Sequence, residues 1–173
     1  MIFYPDAYFK DLKEITVEFL NKNNIKALIL DLDNTLIDYE RNMPEGTIEW
    51  VNELKKNGIK LYIVTNTNKK KKVETISKKL KIEYIYFAKK PLKMGLLKAQ
   101  KRLQERPENI AVIGDQLFTD VLGGNRCKMF TILTDPIAER DILITKIKRP
   151  IENYLKKKYF EKMNKGGVMD NNR

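Results

Sequence analysis

Two patterns of apolar residues alternate along this chain. One is the short unbroken run, as in Ala27-Leu28-Ile29-Leu30 after Ile25 and Lys26, which reads as a strand buried on both faces. Residues 59–64, 84–87, 110–113 and 129–133 repeat it, so about five strands are expected. The other pattern is helical spacing. Ile48, Val51 and Leu54 follow a Pro44-Glu45-Gly46-Thr47 opening and stop at Asn57-Gly58. Val73, Ile76 and Leu80 mark one face of a lysine-rich segment, and Leu96, Ala99 and Leu103 mark another over 93–104. A looser helical pattern (Tyr8, Leu12, Ile15, Val17, Phe19, Leu20) covers residues 7–20.

Strands alternating with helices predict an α/β fold, a parallel sheet joined by right-handed crossovers. No repeat or linker divides the chain, so residues 1–150 are expected to form a single domain. After Pro150, the residues Ile151, Tyr154, Leu155, Tyr159 and Met163 share a helical face with lysines largely opposite. That predicts a basic amphipathic helix and a flexible end within 151–173, lying on anionic lipid or docked on the sheet.

Composition narrows the chemistry. At 173 residues the chain can bury a substantial core. It has no histidine, which removes Ser-His-Asp and Cys-His catalysis and histidine metal sites. A general acid or base must be a carboxylate, a lysine or a tyrosine. Cys127 is the only cysteine, so no intrachain disulfide forms and a reducing compartment is expected. A Cys-x₅-Arg phosphatase loop fails because position 133 is Leu, and no P-loop is present. Thirty-four Lys and Arg against 23 Asp and Glu give a net charge of +11. The excess favours anionic partners, although a lysine-rich surface is the plainer reading. Without an apolar leader or a membrane-length apolar run, a cytoplasmic protein is expected, with peripheral contact at the inner face of the membrane as a further expectation.

Candidate chemistry sits where the strands end. Asp31 and Asp33 follow the first, Thr65 and Asn66 the second, Lys90 the third, and Asp115 and Asp120 the fourth. With the first strand central in a doubly wound sheet, the first and fourth strands flank the switch point and Asp31, Asp33 and Asp115 converge there. Carboxylates without histidine make a hard, all-oxygen site suited to Mg²⁺. Thr65 and Lys90 suit the equatorial oxygens of a phosphoryl group. Capping turns and solvated lysines are the plainer alternatives for each piece alone.

Together the pieces resemble the haloacid dehalogenase-like (HAD) phosphatase superfamily. Its motifs read Asp31-Leu32-Asp33-Asn34-Thr35, Val64-Thr65-Asn66, Lys90-Pro91, and Gly114-Asp115 through Asp120. The resemblance implies a HAD-like, Rossmann-like doubly wound sheet of strand order 3-2-1-4-5. It implies Asp31 as nucleophile, Asp33 as acid and base, and Thr65 and Lys90 as catalytic partners. Phosphate binding would fall to Asp31, Leu32, Asp33, Thr65, Asn66 and Lys90, with Lys89 a rival for the lysine role. Mg²⁺ would be held by Asp31, Asp115 and the Asp33 carbonyl, with Asp120 in support. Only 31 residues separate Asp33 from Thr65 and 24 separate Thr65 from Lys90, so neither gap holds a cap domain. The run from Gly114 to Arg126 is similar to the YqeG branch of capless subclass IIIA, related to phosphatidylglycerophosphate phosphatases. The substrate this implies is phosphatidylglycerophosphate, an anionic lipid phosphomonoester. A nucleic-acid end, a soluble sugar phosphate and a receiver-like phospho-Asp domain are the alternatives. Nucleic acid is disfavoured because no aromatic stacking pattern accompanies the charge.

The lysines Lys69-Lys70-Lys71-Lys72 open a helix beside this site, where cations oppose the macrodipole. They are expected either to steer an anionic substrate or to be a solvated face.

Overall fold

The computed structural model describes residues 2–138, together with Lys157 and Glu161. The basic amphipathic segment expected over 151–163 otherwise lies outside the described residues, as does the tail.

All strands among the described residues belong to one parallel sheet. In chain order they are β1 (Ala7–Phe9), β2 (Ala27–Leu30), β3 (Lys60–Val64), β4 (Glu83–Ile85), β5 (Ile110–Gly114) and β6 (Phe130–Thr134). Their order across the sheet is β1-β6-β5-β2-β3-β4. The expected order 3-2-1-4-5 is therefore observed in β2 to β6, with one strand added at the edge. That added strand corrects the helical reading of residues 7–20. The apolar positions there belong to three elements: β1, a 3₁₀ turn at Leu12–Glu14, and helix α1 (Val17–Lys22). Pairing overrides local pattern, since Asp6 Oδ2 accepts from Thr131 N–H at 2.8 Å and sets Ala7 opposite Ile132. Thr16 then caps α1, its hydroxyl accepting from Phe19 N–H at 3.1 Å.

Helices α2 (Thr47–Lys56), α3 (Lys70–Leu80), α4 (Lys93–Leu103) and α5 (Leu122–Arg126) cover the sheet. Every residue of β2 is buried, with its side chains alternating between two cores. Leu28 and Leu30 meet Val51 and Leu54 of α2 and Val73 and Ile76 of α3. Ala27 and Ile29 meet Leu96, Ala99 and Leu103 of α4. Burial on both faces explains why β2 reads as an unbroken apolar run.

The third predicted strand ends early. Phe87 turns into the left-handed region (φ 50°) and its N–H donates to Thr67 at 2.8 Å instead of extending the ladder. Tyr86 and Phe87 are consequently exposed. Between Asp33 and Thr65 the structure has a loop, α2 and β3, and between Thr65 and Lys90 only α3, β4 and their turns. Among the described residues, no cap covers the rim where the strands end.

Candidate active site

Parallel strands deliver their C-terminal residues to one rim, and the sequence places acids there. Beyond β2, Asp31 N–H donates to the Ile113 carbonyl at 2.9 Å, which keeps Asp31 beside β5. The chain then folds back: Leu36 and Ile37 N–H groups both return to the Leu32 carbonyl, and Asn34 sits at φ 64°. The Asn34 side chain exchanges two 2.9 Å bonds with the backbone of Ala138, tying the segment after β6 to this loop.

Asp115 follows β5 directly. Asp120 arrives on a single π-helical turn, Leu117–Val121, a distortion common at functional sites. Gln116 N–H and the Thr119 hydroxyl both donate to Asp120 Oδ2. Gly114 makes room for that carboxylate, because a Cβ at Gly114 would lie 2.2 Å from Asp120 Cγ.

Lys90 closes the group from the β4–α4 loop. Its side chain is 2 % exposed, with Nζ 2.7 Å from Asp31 Oδ1 and 2.6 Å from Asp120 Oδ1. Asn66 clasps its backbone: Lys90 N–H donates to Asn66 Oδ1 at 2.6 Å, and Asn66 Nδ2 donates to the Lys90 carbonyl at 2.9 Å. Thr65 is buried at the end of β3, its hydroxyl accepting from Thr67 N–H at 3.2 Å.

Carboxylate oxygens of Asp31, Asp115 and Asp120 lie within 4.8 Å of one another. Ionised, they and one ammonium leave two negative charges in a buried space, a balance that protons or a divalent cation must correct. Burial, with Asp120 nearby, pushes the Asp31 carboxyl up to about 7 against the pull of Lys90. Burial and the charges of Asp31 and Asp120 hold Asp115 well above the usual carboxylate range. For Lys90 burial disfavours the charge, but Asp120 and Asp31 outweigh it and raise the ammonium above its ordinary range. Among the described residues, Asp115 Oδ1 is buried without a hydrogen-bond partner. An all-oxygen donor set with an orphaned oxygen and excess negative charge fits a hard divalent ion.

The structure thus brings together Asp31, Asp115, Asp120 and Lys90, with Thr65 and Leu32 on the adjoining loops. Asp33 stands apart from the carboxylate cluster and pairs with Lys72. Lys72 is therefore turned inward, while Lys69, Lys70 and Lys71 remain exposed. Lys89 points away from the acids, its ammonium 4.9 Å over the Phe87 ring. Two partners escaped sequence reasoning, the Asn66 clasp and the Lys72 ion pair. A signal existed for each: an Asn at a strand end bonds nearby backbone, and a cation in a first helical turn calls for a compensating acid. Cys127 is buried, and that burial pushes its thiol up, away from the reactive thiolate form.

Comparison with known proteins extends the geometry. A family described as "Mitochondrial PGP phosphatase" matches residues 1–138. "Probable phosphatase YqeG" of Bacillus subtilis is 44 % identical over 151 residues, covering 87 % of each chain. The glyceraldehyde 3-phosphate phosphatase of Pyrococcus furiosus is 29 % identical over 140 residues, 75 % of this chain and 56 % of that one. Among solved structures, the HAD hydrolase YfnB from Bacillus subtilis, bound to magnesium, superposes with a TM-score of 0.57 at 14 % identity. It covers 68 % of this chain and 90 % of its own. The cobalt-bound deoxy-D-mannose-octulosonate 8-phosphate phosphatase YrbI from Haemophilus influenzae gives 0.54 at 16 %, over 65 % and 69 %. At such identities the likeness is one of fold.

Proposed function

This chain belongs to the mitochondrial PGP phosphatase family of capless HAD hydrolases, and on that premise we propose that it converts phosphatidylglycerophosphate to phosphatidylglycerol with Mg²⁺ as cofactor. Membership makes it a phosphoric monoester hydrolase and sets aside the receiver-like alternative. The observation that supports the reading best is the buried cluster of Asp31, Asp115 and Asp120 around Lys90, with one carboxylate oxygen left unpartnered.

In the proposed reaction an Asp31 oxygen attacks phosphorus in line, and its new bond forms as the ester P–O bond breaks. Asp33 gives its proton to the departing alcohol oxygen. It then takes a proton from the water that cleaves the aspartyl-phosphate, which releases phosphate and restores both residues. Asp33 must first leave Lys72 and take up a proton from solvent, because the carboxylate of the ion pair has none to give. The Thr65 hydroxyl, the Lys90 ammonium and the N–H groups of Leu32 and Asn66 hold the phosphoryl oxygens. Asp31, Asp115 and the Asp33 carbonyl, with Asp120 in support, would hold a divalent cation, which would supply neutralisation of the phosphoryl charge.

A panel of phosphomonoesters tests the substrate. Phosphatidylglycerophosphate in mixed vesicles should give the highest kcat/KM, against glyceraldehyde 3-phosphate, hexose phosphates and a 3′-phosphorylated oligonucleotide. A soluble ester turned over faster than the lipid overturns the substrate assignment. Asp31→Asn should lower kcat by on the order of 10³-fold or more while leaving the thermal midpoint in place.

A further inference from the structure

The β4–α4 loop carries an apolar surface that the catalytic proposal does not use. Seven large apolar side chains are exposed among the described residues, and five of them fall between Tyr86 and Leu97. Phe87 is 54 % exposed, Leu92 51 % and Met94 58 %, with Tyr86 and Leu97 beside them. Folded proteins seldom gather such groups without a partner. The loop is short, and Ala88 presses so closely on Gly95 that a Cβ there would come within 2.8 Å. That contact joins the residue after Phe87 to the residue after Met94, and Leu97 follows Met94 by one helical turn.

The patch is fixed to the active site. Phe87 N–H donates to Thr67, Ala88 N–H donates to Thr65, and the Asn66 clasp holds Lys90 two residues further on. The loop that carries it is therefore anchored to the residues that end β3 and to the backbone of Lys90. Lysines accompany it along the chain: Lys69 and Lys71 before and within the first turn of α3, Lys89 with its ammonium over the Phe87 ring, and Lys93 and Lys98 on α4. The acids between Asn66 and Lys98 are Glu74 and Glu83. Glu74 lies 3.6 Å from Lys70, and Glu83 starts β4 at the opposite end of the strand. An apolar wedge on a lysine-rich, acid-poor stretch matches the layered chemistry of an anionic bilayer, acyl chains below and negative head groups above. A protein partner would ask for matched polar groups and acidic counterparts instead of a stretch so uniformly cationic.

We propose that Phe87, Leu92 and Met94 insert into an anionic membrane surface while Lys69, Lys71, Lys89 and Lys93 contact its head groups, seating the open catalytic rim against lipid. The proposal names the docking surface for the lipid reading above and rests on it for its purpose. Its test does not need the substrate.

The test measures partitioning of the full chain onto phosphatidylglycerol–phosphatidylcholine vesicles that contain no phosphomonoester. The wild type should bind, and less so as salt rises. Phe87→Ser/Leu92→Ser/Met94→Ser should bind at least about tenfold more weakly. The triple variant should also keep wild-type turnover of p-nitrophenyl phosphate, since none of the three belongs to the catalytic machinery. A Phe87→Trp variant provides an independent reading, because the natural Trp50 is buried. Its emission should shift to the blue on anionic vesicles. Vesicle binding that survives the triple substitution overturns the proposal, as does a wild type that ignores vesicles. So does a Phe87→Trp shift that follows protein concentration instead of lipid, which would mark the patch as a contact between copies. Loss of p-nitrophenyl phosphate turnover in the triple variant would assign the loop to supporting Lys90 and also overturn it. If the wedge binds vesicles while the lipid phosphomonoester goes unhydrolysed, the substrate reading fails and the docking surface stands.

Discussion

Lys90 is the residue on which the site's charge balance turns. It is buried between Asp31 and Asp120, and removing it would leave three carboxylates facing one another. Lys90→Met should cost about 3 kcal/mol of stability in metal-free protein at neutral pH, because breaking a buried pair strands its partner. Turnover should fall as well, while affinity for a divalent cation rises once the competing ammonium has gone. Calorimetric titration with Mg²⁺ alongside a denaturant melt checks both halves. Sequence could place Lys90 at a strand end before a proline, and could place Asp31, Asp115 and Asp120 at the ends of the neighbouring strands. It could not say where side chains point. That Asp33 leaves the acids for Lys72, and that Asn66 spends its amide on the Lys90 backbone, depends on rotamers chosen by tertiary contact.

At the scale of elements, the short connections do the positioning. The π-helical turn Leu117–Val121 carries Asp120 back over Gly114, where there is no space for a methyl group. Gly114→Ala should therefore push Asp120 off Lys90. The expected result is a loss of about 1–3 kcal/mol in stability, with a fall in kcat that restoring pH or adding Mg²⁺ does not repair. A thermal melt with steady-state kinetics would show it, and an unchanged kcat would mean that the turn can relax. The central strands were legible because burial on both faces writes an unbroken apolar run, and their order was implied by the family resemblance. β1 was not. Its residues Ala7, Tyr8 and Phe9 are only half-buried at the sheet edge, and what fixes them is Asp6 bonding to Thr131, 125 positions away. The end of β4 was misjudged for a related reason. Tyr86 and Phe87 are aromatic and strand-like in isolation, yet the turn toward Thr67 takes them out to solvent.

For the whole molecule, a chain of net charge +11 keeps its most concentrated negative charge in one buried cluster, and that arrangement links folding to pH and to metal. Asp31 titrates at about 7 in the folded chain, above its unfolded value, so the folded state binds this proton more tightly. The associated stability is fully present below about pH 4 and is lost as pH rises through about 7. Asp115 is shifted in the same direction by its burial and its two acidic neighbours. A divalent cation needs these oxygens deprotonated and must displace whatever protons they hold. Metal-free protein should therefore melt lower at about pH 8 than near pH 5 as far as this cluster is concerned. Adding Mg²⁺ to a hundred times its dissociation constant should restore about 2.7 kcal/mol at the higher pH and much less at the lower one. Melting curves at both pH values with and without Mg²⁺, and with Asp115→Asn as the control, check the linkage. An increment in thermal midpoint that is equal at the two pH values, or that survives in Asp115→Asn, would mean the cation binds elsewhere and that the three acids are held by Lys90 alone.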